Sequence, residues 1–275
     1  MFILNGQDYS DDFDVVKAMI KTKHYGLKFA SERLRNDFDI VKTAVEINGE
    51  NLEYASDDLK NNFNIVKIAV ENRGRSLKYA SKNLQNDYDI VKTAVEPDKN
   101  DFCDSYLGLK FASKELQNNY DIVKSVVKNY GIALQYASKN LQNNYDIAII
   151  AVKDDWRALW YVGLELYNNY DIVKTAIEKC WEALEYANDD LRNDYDIVKI
   201  AVAQNNKALQ YTNTKIQRQI IMEFIKNNDE ILKYANEEIL EDKEFMIECI
   251  KINFDAMKHI AHHHYGDWIF CDNCY

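Results

Sequence analysis

Proline and glycine are scarce in this chain, which has one proline and eight glycines among 275 residues. Hairpins, β-sandwiches and glycine-rich nucleotide folds need these residues at their turns, so the composition favours helices with short connections. Five cysteines at irregular spacings indicate no disulfide framework and a reducing compartment. The longest apolar run, residues 147–152, is too short to span a membrane, and the first residues lack the basic start of a signal peptide. We therefore expect a soluble protein of the cytoplasm or another intracellular compartment.

Positive charge is also in short supply, because 34 lysines and arginines stand against 45 aspartates and glutamates, a net charge of −11. Nucleic-acid binding needs a basic surface that displaces counterions from phosphates, so this class of partner is disfavoured. The chain contains no phosphate-binding loop, no dinucleotide motif and no GxSxG nucleophile motif. With 47% hydrophobic residues it has the composition of a folded protein. We expect a folded protein that is not an enzyme and has no cofactor.

A repeat of about 25 residues covers almost the whole chain. We number the positions of a repeat from the leucine of its LxYAS motif, which is position 0, and name each repeat by the residue at that position. These residues are Leu27, Leu52, Leu77, Leu109, Leu134, Leu159, Leu184, Leu209, Leu232 and Met257. The step is 25 residues, except for 32 after Leu77 and 23 after Leu209. Residues 1–26 form a degenerate first unit and residues 257–275 a terminal cap unit.

The second half of each repeat predicts a helix. In the Leu77 repeat, positions 13, 14, 17 and 18 are Ile90, Val91, Ala94 and Val95, an apolar stripe with helical spacing. Asparagine at position 9 would cap the N-terminus of this helix, with the acid of position 12 in its first turn. Lysine at position 15 would pair with that acid. Glycine at position 22 would end the helix in the left-handed conformation.

The first half of each repeat predicts a shorter helix around positions 0 to 3. A small polar residue at position 4, serine in five early repeats, indicates that this helix stops and a turn begins. Neither helix can bury its apolar stripe alone, so neighbouring units must stack. We therefore predict an all-α fold with essentially no β-structure, a single α-solenoid over residues 1–275 of about ten stacked 25-residue units. We interpret the regular aspartate and tyrosine positions as capping and packing features.

The segment ALQYASKNLQNNYDIAIIAV, residues 133–152, and its sister segments resemble the tandem repeat catalogued as domain of unknown function 4116. The resemblance spans about residues 2–270. It implies a helical repeat array with no assigned activity, so it identifies no functional residue. The period also differs from that of the 33–34-residue ankyrin and tetratricopeptide repeats.

Departures from the repeat are the places where function can override packing. The first is a seven-residue insertion that follows Val95 and contains Pro97 and Phe102. Insertions in solenoids often form loops on the binding face, although a tolerated surface loop explains the same observation.

The second departure is a group of aromatic residues at positions that elsewhere carry mostly lysine, glutamate, glutamine, arginine or glycine. Its members are Trp156 and Trp181 at position 22, Trp160 at position 1 and Tyr167 at position 8. Equal positions of adjacent repeats lie about 8–10 Å apart, so the group can form one cluster. We predict that it contacts a protein partner or a second copy, with Pro97 and Phe102 as a secondary element. Local repacking is the alternative.

The third departure is the C-terminal tail, where His259 and His264 replace a tyrosine and a leucine of the repeat. With Cys271 and Cys274 they could form a zinc site. Both cysteines, however, fall on the apolar positions 14 and 17, which favours a terminal cap. We thus predict a protein-interaction scaffold, with a metal-binding tail as the alternative. A repeat-type nucleic-acid binder is the third possibility. Such a protein needs variable basic or stacking residues at fixed positions of its repeat, and the fixed positions of this chain are acidic instead.

Overall fold

A computed structural model describes residues 3–4, 7–22, 26–96 and 106–259 of the chain. The fold is all-α, as predicted, apart from two antiparallel two-residue strands, Ile3–Leu4 and Gln7–Asp8. In the described residues, no helix has the length and apolar character needed to cross a membrane.

Most repeats contain three helical segments: a 3-10 helix, a single turn of α-helix and a longer α-helix. The longer α-helices are Phe13–Thr22, Phe38–Ile47, Phe63–Asn72, Tyr88–Val95, Tyr120–Val127, Tyr145–Asp154, Tyr170–Lys179, Tyr195–Gln204, Thr214–Phe224 and Lys243–Ile252. The shorter α-helices are Glu32–Arg35, Asp57–Lys60, Lys82–Gln85, Tyr106–Phe111, Lys139–Gln142, Asp189–Arg192 and Glu237–Glu241. The 3-10 helices are Gly26–Phe29, Gly49–Tyr54, Gly74–Tyr79, Leu116–Asn118, Gly131–Tyr136, Trp156–Tyr161, Trp181–Tyr186, Asn206–Tyr211, Asp229–Tyr234 and Phe254–His259. The segment between the two predicted helices, which the sequence predicts to be a turn, is therefore a single turn of α-helix in most repeats.

The apolar stripe of the longer helix forms the core. Ile90, Val91 and Ala94 are fully buried and Val95 is 1% exposed, and the equivalent residues of the repeats from Leu27 to Leu184 are buried in the same way. Burial of a valine, leucine or isoleucine side chain contributes about 1.5–3 kcal/mol each, so this stripe is the main source of stability.

The chain divides into two compact units, Met1–Gly163 and Leu164–Tyr275. In the first unit, the longer helices of successive repeats pack against one another. Examples are Phe38–Ile47, Phe63–Asn72 and Tyr88–Val95. In the second unit, Tyr170–Lys179 packs on Tyr195–Gln204 in the same manner. Stacking of the repeats thus occurs inside each unit. One array running through residues 1–275 stays a prediction.

The cap of the longer helix lies one residue later than predicted. The Asp37 carboxylate at position 10 accepts a hydrogen bond from the Ile40 backbone N–H at 2.9 Å, and it is the N-cap of Phe38–Ile47. Asn36 at position 9 is instead the C-cap of the one-turn helix Glu32–Arg35. Two adjacent polar residues can both cap a helix, and the structure uses each of them for a different helix.

The glycine of position 22 also has a different role from the one predicted. Gly49 and Gly131 begin 3-10 helices, and neither has the positive φ of a left-handed residue. A Cβ on Gly49 would lie 2.1 Å from the carbonyl oxygen of Ala69, and one on Gly131 would lie 2.1 Å from that of Ala151. Glycine is present at these two sites because the next repeat approaches the backbone closely.

The serine of position 4 connects its repeat to the unit before it. The Ser81 hydroxyl accepts a hydrogen bond from the Leu84 N–H at 3.3 Å, which caps the helix Lys82–Gln85. The same hydroxyl donates to Asn61 Oδ1 at 2.5 Å, and the Ser81 N–H donates to the Lys60 carbonyl at 2.9 Å. Equivalent serine–asparagine bonds join the hydroxyls of Ser56, Ser113 and Ser138 to Asn36, Asn86 and Asn118. The serine therefore caps the next helix and bonds to the preceding repeat.

Candidate functional site

Trp156 and Trp160 lie together in the first unit, on the 3-10 helix Trp156–Tyr161. Their rings meet edge to face, with centroids 5.8 Å apart and planes inclined by 79°. Trp160 is 45% exposed, whereas Trp156 is half-buried. The helix is capped by Asp155, whose carboxylate also binds the Arg157 guanidinium at 2.7 Å and has its pKa lowered by that bond. Trp160 is thus a surface aromatic that is held in place by a neighbouring ring.

Tyr167 and Trp181 have separate partners in the second unit. The Tyr167 hydroxyl donates a hydrogen bond to the Tyr186 carbonyl at 2.6 Å, and desolvation raises the Tyr167 pKa. The Trp181 ring stacks on Tyr211, with centroids 6.3 Å apart and an angle of 29° between planes. Both side chains are half-buried, so each also takes part in local packing. Contact of these residues with a partner stays a prediction.

Leu164 is an exposed apolar residue that is absent from the sequence-based predictions. It occupies position 5, where most other repeats carry glutamate, aspartate or lysine. Its exposed fraction is 90%. The signal in the sequence that could have found it is its departure from the other residues at position 5, the same kind of departure that marks the tryptophans.

Partly exposed aromatic residues occupy position 11, the first residue of the longer helix, in each of the two units. We call these residues the ring ladder. Its members are exposed by 37 to 41%: Phe38, Phe63, Tyr88, Tyr120 and Tyr145 in the first unit, and Tyr170 and Tyr195 in the second. From the sequence pattern alone, the regular tyrosines are interpreted as packing features only. Because more than a third of the surface of each residue remains exposed, packing does not account for the whole of this pattern.

Charged groups flank the ring ladder. The Lys124 ammonium lies 5.3 Å from the centroid of Tyr120, and that of Lys92 lies 5.9 Å from the centroid of Tyr88. This places the lysine of position 15 over a ring, whereas we had expected it to pair with the acid of position 12. Such cation–π contacts contribute about 0.5–1 kcal/mol at exposed sites. The acid of position 12 is exposed beside the ring, as in Asp121.

The predictions for the insertion and for the C-terminal tail fall only partly on the described residues. Pro97 and Phe102 of the insertion, and His264, Cys271 and Cys274 of the tail, lie outside them. The described member, His259, has its Nε2 atom 3.2 Å from Asp229 Oδ2, and this bond lowers the pKa of Asp229. The possible ligand atoms of Asp229, Glu230 and His259 all lie within 4.8 Å of one another. His259 therefore has two carboxylates near it, which the metal hypothesis had not included.

Cys249 supports the interpretation of position 17 as a core position. Its side chain is fully buried on the helix Lys243–Ile252. Burial raises the pKa of the Cys249 thiol to about 11, so the thiol is neutral at pH 7 and packs as a small apolar group.

Comparison with known protein families reproduces the repeat. A family model described as "Domain of unknown function (DUF4116)" matches six times in tandem, over residues 12–60, 39–85, 62–117, 119–167, 169–217 and 218–263. No curated protein matches the chain, and no solved structure does.

Proposed function

This chain belongs to the DUF4116 family of tandem repeats, and from that membership we propose that it is a non-enzymatic scaffold that binds a protein partner. Stacked helical repeats offer extended surfaces on which a partner can bind without a deep pocket. The observation that carries the proposal is the ring ladder, which places one partly exposed aromatic residue at the same position of seven successive repeats.

Exposure at position 11 distinguishes the ring ladder from the core. Residues that stacking requires, such as Ile122 and Val123 two and three positions further on, are at most 1% exposed. Tyr120, by contrast, is 37% exposed. Tyrosine is enriched in protein interfaces because it buries a large area and loses little conformational entropy. A partner that covers the ladder residues of either unit would bury apolar ring surface that folding leaves in water.

Charges of both signs flank the ring ladder, because lysines of position 15 lie over its rings, so the net charge of the chain indicates what kind of partner fits. Exposed aspartates follow the rings at position 12, namely Asp39, Asp89, Asp121, Asp146, Asp171 and Asp196. The chain as a whole has a net charge of −11. Complementary potentials speed association and fix the register of a complex. The partner we propose is therefore a protein segment that combines apolar side chains with lysine or arginine.

A photo-crosslinking experiment tests the proposal in extracts of the native host. A photoreactive phenylalanine derivative is placed at Tyr120 of the full-length chain and, as a matched control, at Asn140, which is exposed on a short helix of the next repeat. We expect a discrete protein adduct from the Tyr120 site that is much weaker from the Asn140 site. An adduct with a second copy of the chain would identify self-association. Equal labelling from both sites, or no adduct, would contradict the proposal.

Trp160→Lys tests whether the aromatic group in the first unit contributes to the same association. Lysine is the residue at position 1 of the Leu27, Leu77 and Leu109 repeats, so the substitution suits the local backbone. Because Trp160 is 45% exposed, we expect helicity and melting temperature to change little while binding of the crosslinked partner weakens. Unfolding of the variant would mean that Trp160 is a core residue and that it does not form part of a contact site.

A metal-dependent role of the tail is the second candidate, favoured by the position of His259 beside Asp229 and Glu230. Metal analysis of the purified chain separates the two functions. If the chain is a scaffold without a metal site, we expect a measured zinc content well below one ion per chain. Stoichiometric zinc that is lost on Cys271→Ser and Cys274→Ser would favour the metal-dependent role instead.

A further inference from the structure

Four lysines line one cleft in the first unit, although the chain carries a net charge of −11. The cleft has a volume of about 460 Å³ and lies where the Leu77 and Leu109 repeats meet. The lysines are Lys78 and Lys82 of the first of these repeats and Lys110 and Lys114 of the second. No carboxylate of the described residues lines the cleft.

Two of these lysines are held by neutral partners. Gln85 is only 7% exposed, and its Nε2 atom donates to the carbonyls of Leu77 and Ala80, both at 3.1 Å. Its Oε1 atom is therefore fixed in place, and it accepts a hydrogen bond from Lys82 Nζ at 2.9 Å. A glutamine can orient an ammonium group but does not cancel its charge.

The Leu109 repeat has the same arrangement. Gln117 is buried in the same way, and Lys114 Nζ donates to its Oε1 atom at 3.0 Å. Glu115, the neighbour of Lys114 in sequence, accepts a hydrogen bond from Asn86 Nδ2 at 3.3 Å. The nearest acid in sequence thus has its own hydrogen-bond partner and does not line the cleft.

The other two lysines bring further positive charge to the cleft. The Lys110 ammonium lies 5.7 Å from the ring centroid of Phe111. Lys78 Nζ lies 3.7 Å from Glu50, but this carboxylate also pairs with Arg73 at 3.3 Å and with Arg75 at 3.0 Å. Lys78 therefore shares the Glu50 carboxylate with two arginines.

Packing of the repeats does not require lysine at these positions. Lysine occupies positions 1 and 5 together only in the consecutive Leu77 and Leu109 repeats. Elsewhere position 5 is often an acid, as in Glu32, Asp57, Asp189 and Glu237. Four ammonium groups around one cleft repel one another, so the arrangement has an electrostatic cost that an anion would remove.

We propose that this cleft binds an oligophosphate anion, either free polyphosphate or the phosphate chain of a nucleotide. Lysine binds phosphate as a point charge, and several lysines around one cleft match an anion with several linked phosphates. A volume of about 460 Å³ lies in the range of small-ligand sites, which is about 300–1,000 Å³. Phe111 lines the same cleft and offers a ring face next to the lysines.

Isothermal titration calorimetry on the full chain tests the proposal at low ionic strength. Sodium tripolyphosphate and ATP without magnesium are titrated separately, with inorganic phosphate for comparison. We expect tripolyphosphate to bind at one site per chain and far more tightly than phosphate. ATP binding of the same affinity would assign recognition to the phosphate chain alone, and tighter ATP binding would add a contact to the nucleoside. Absence of binding by both compounds overturns the proposal.

A double charge reversal, Lys82→Asp with Lys114→Asp, removes the two oriented lysines. Loss of a charged hydrogen bond weakens binding about tenfold or more, so the pair should cost about a hundredfold in affinity. The matched control is Lys139→Asp, because Lys139 occupies position 5 of the next repeat, donates to Gln142 at 2.9 Å and does not line the cleft. The control should keep the affinity of the wild type.

Either of two results would refute the site. One is a double variant that binds like the wild type, and the other is a Lys139→Asp variant that loses as much affinity as the double variant. Circular dichroism verifies the fold of each variant. If the double aspartate variant does not fold, Lys82→Gln with Lys114→Gln replaces it, since glutamine removes the charge without adding an acid. This neutral pair should also lose most of the binding.

Discussion

Gly163→Ser should stabilise the protein, because it restores a hydrogen bond that one repeat lacks. Position 4 carries serine in five earlier repeats, where the hydroxyl donates to a side-chain oxygen of the preceding unit. At Gly163 the backbone is placed in the same way, since its N–H donates to the Gln142 carbonyl at 2.8 Å. With no hydroxyl there, the Asn143 Oδ1 atom is buried without a hydrogen-bond partner.

The magnitude follows from two contributions. A new hydrogen bond to a buried, unpaired oxygen contributes about 0.5–1.5 kcal/mol. Replacement of glycine reduces the freedom of the unfolded chain, which adds about 0.4–1 kcal/mol. A Cβ at Gly163 would lie 1.7 Å from Asn143 Oδ1, so the asparagine side chain must turn, as its counterparts have done beside their serines. We expect a net gain of about 1 kcal/mol after this adjustment.

Urea denaturation followed by circular dichroism measures the effect. The midpoint should rise with an unchanged slope, and a gain of about 1 kcal/mol corresponds to about 2–4 °C in melting temperature. Ser138→Gly is the matched opposite change, and it should lower the stability by about 1–2 kcal/mol because Asn118 loses its donor. The reasoning would be refuted if Gly163→Ser were equally stabilising in an Asn143→Ala background, since the gain could then not come from this hydrogen bond. Destabilisation by the serine would mean that Asn143 cannot turn.

Two further predictions concern close packing. Gly131→Ala should lower stability by about 1–3 kcal/mol, because its methyl group would lie 2.1 Å from a carbonyl oxygen of the next repeat, and thermal denaturation measures the loss. Cys249 should resist alkylation in the native protein, since burial raises its pKa to about 11, whereas half-buried Cys180 should react first. Peptide mapping after brief iodoacetamide treatment compares the two cysteines, and rapid modification of Cys249 at pH 7 would contradict its burial.

The longer helix and its core could be predicted from the sequence because the evidence for them is periodic. Ile90, Val91, Ala94 and Val95 recur with helical spacing in every regular repeat, and the structure buries all four. A pattern of this kind depends only on the geometry of the α-helix, in which residues one turn apart share a face. No tertiary information is needed to identify it.

The caps and the glycines were predicted less well, because more than one structure suits the same residues. Asn36 and Asp37 can each accept a hydrogen bond from a helix N-terminus, and the sequence alone does not assign one to each helix. Gly49 follows a helix, where a left-handed residue is common, but its actual constraint is the carbonyl of Ala69 in the next repeat. That constraint depends on how repeats stack, which lies beyond local sequence patterns.

The ring ladder shows that comparison of equal positions among the repeats does not find every candidate contact residue. Comparison among repeats identifies positions where one copy departs from the others, such as Trp160, and treats a residue type shared by all copies as a demand of packing. Tyr120 and its equivalents are shared by seven successive repeats and yet remain more than a third exposed. A surface that binds an extended partner along several repeats needs the same contact in each of them, so a contact residue of this kind is as regular as a core residue. Exposure in the folded chain separates the two, and for that reason the ladder could be recognised only in the structure.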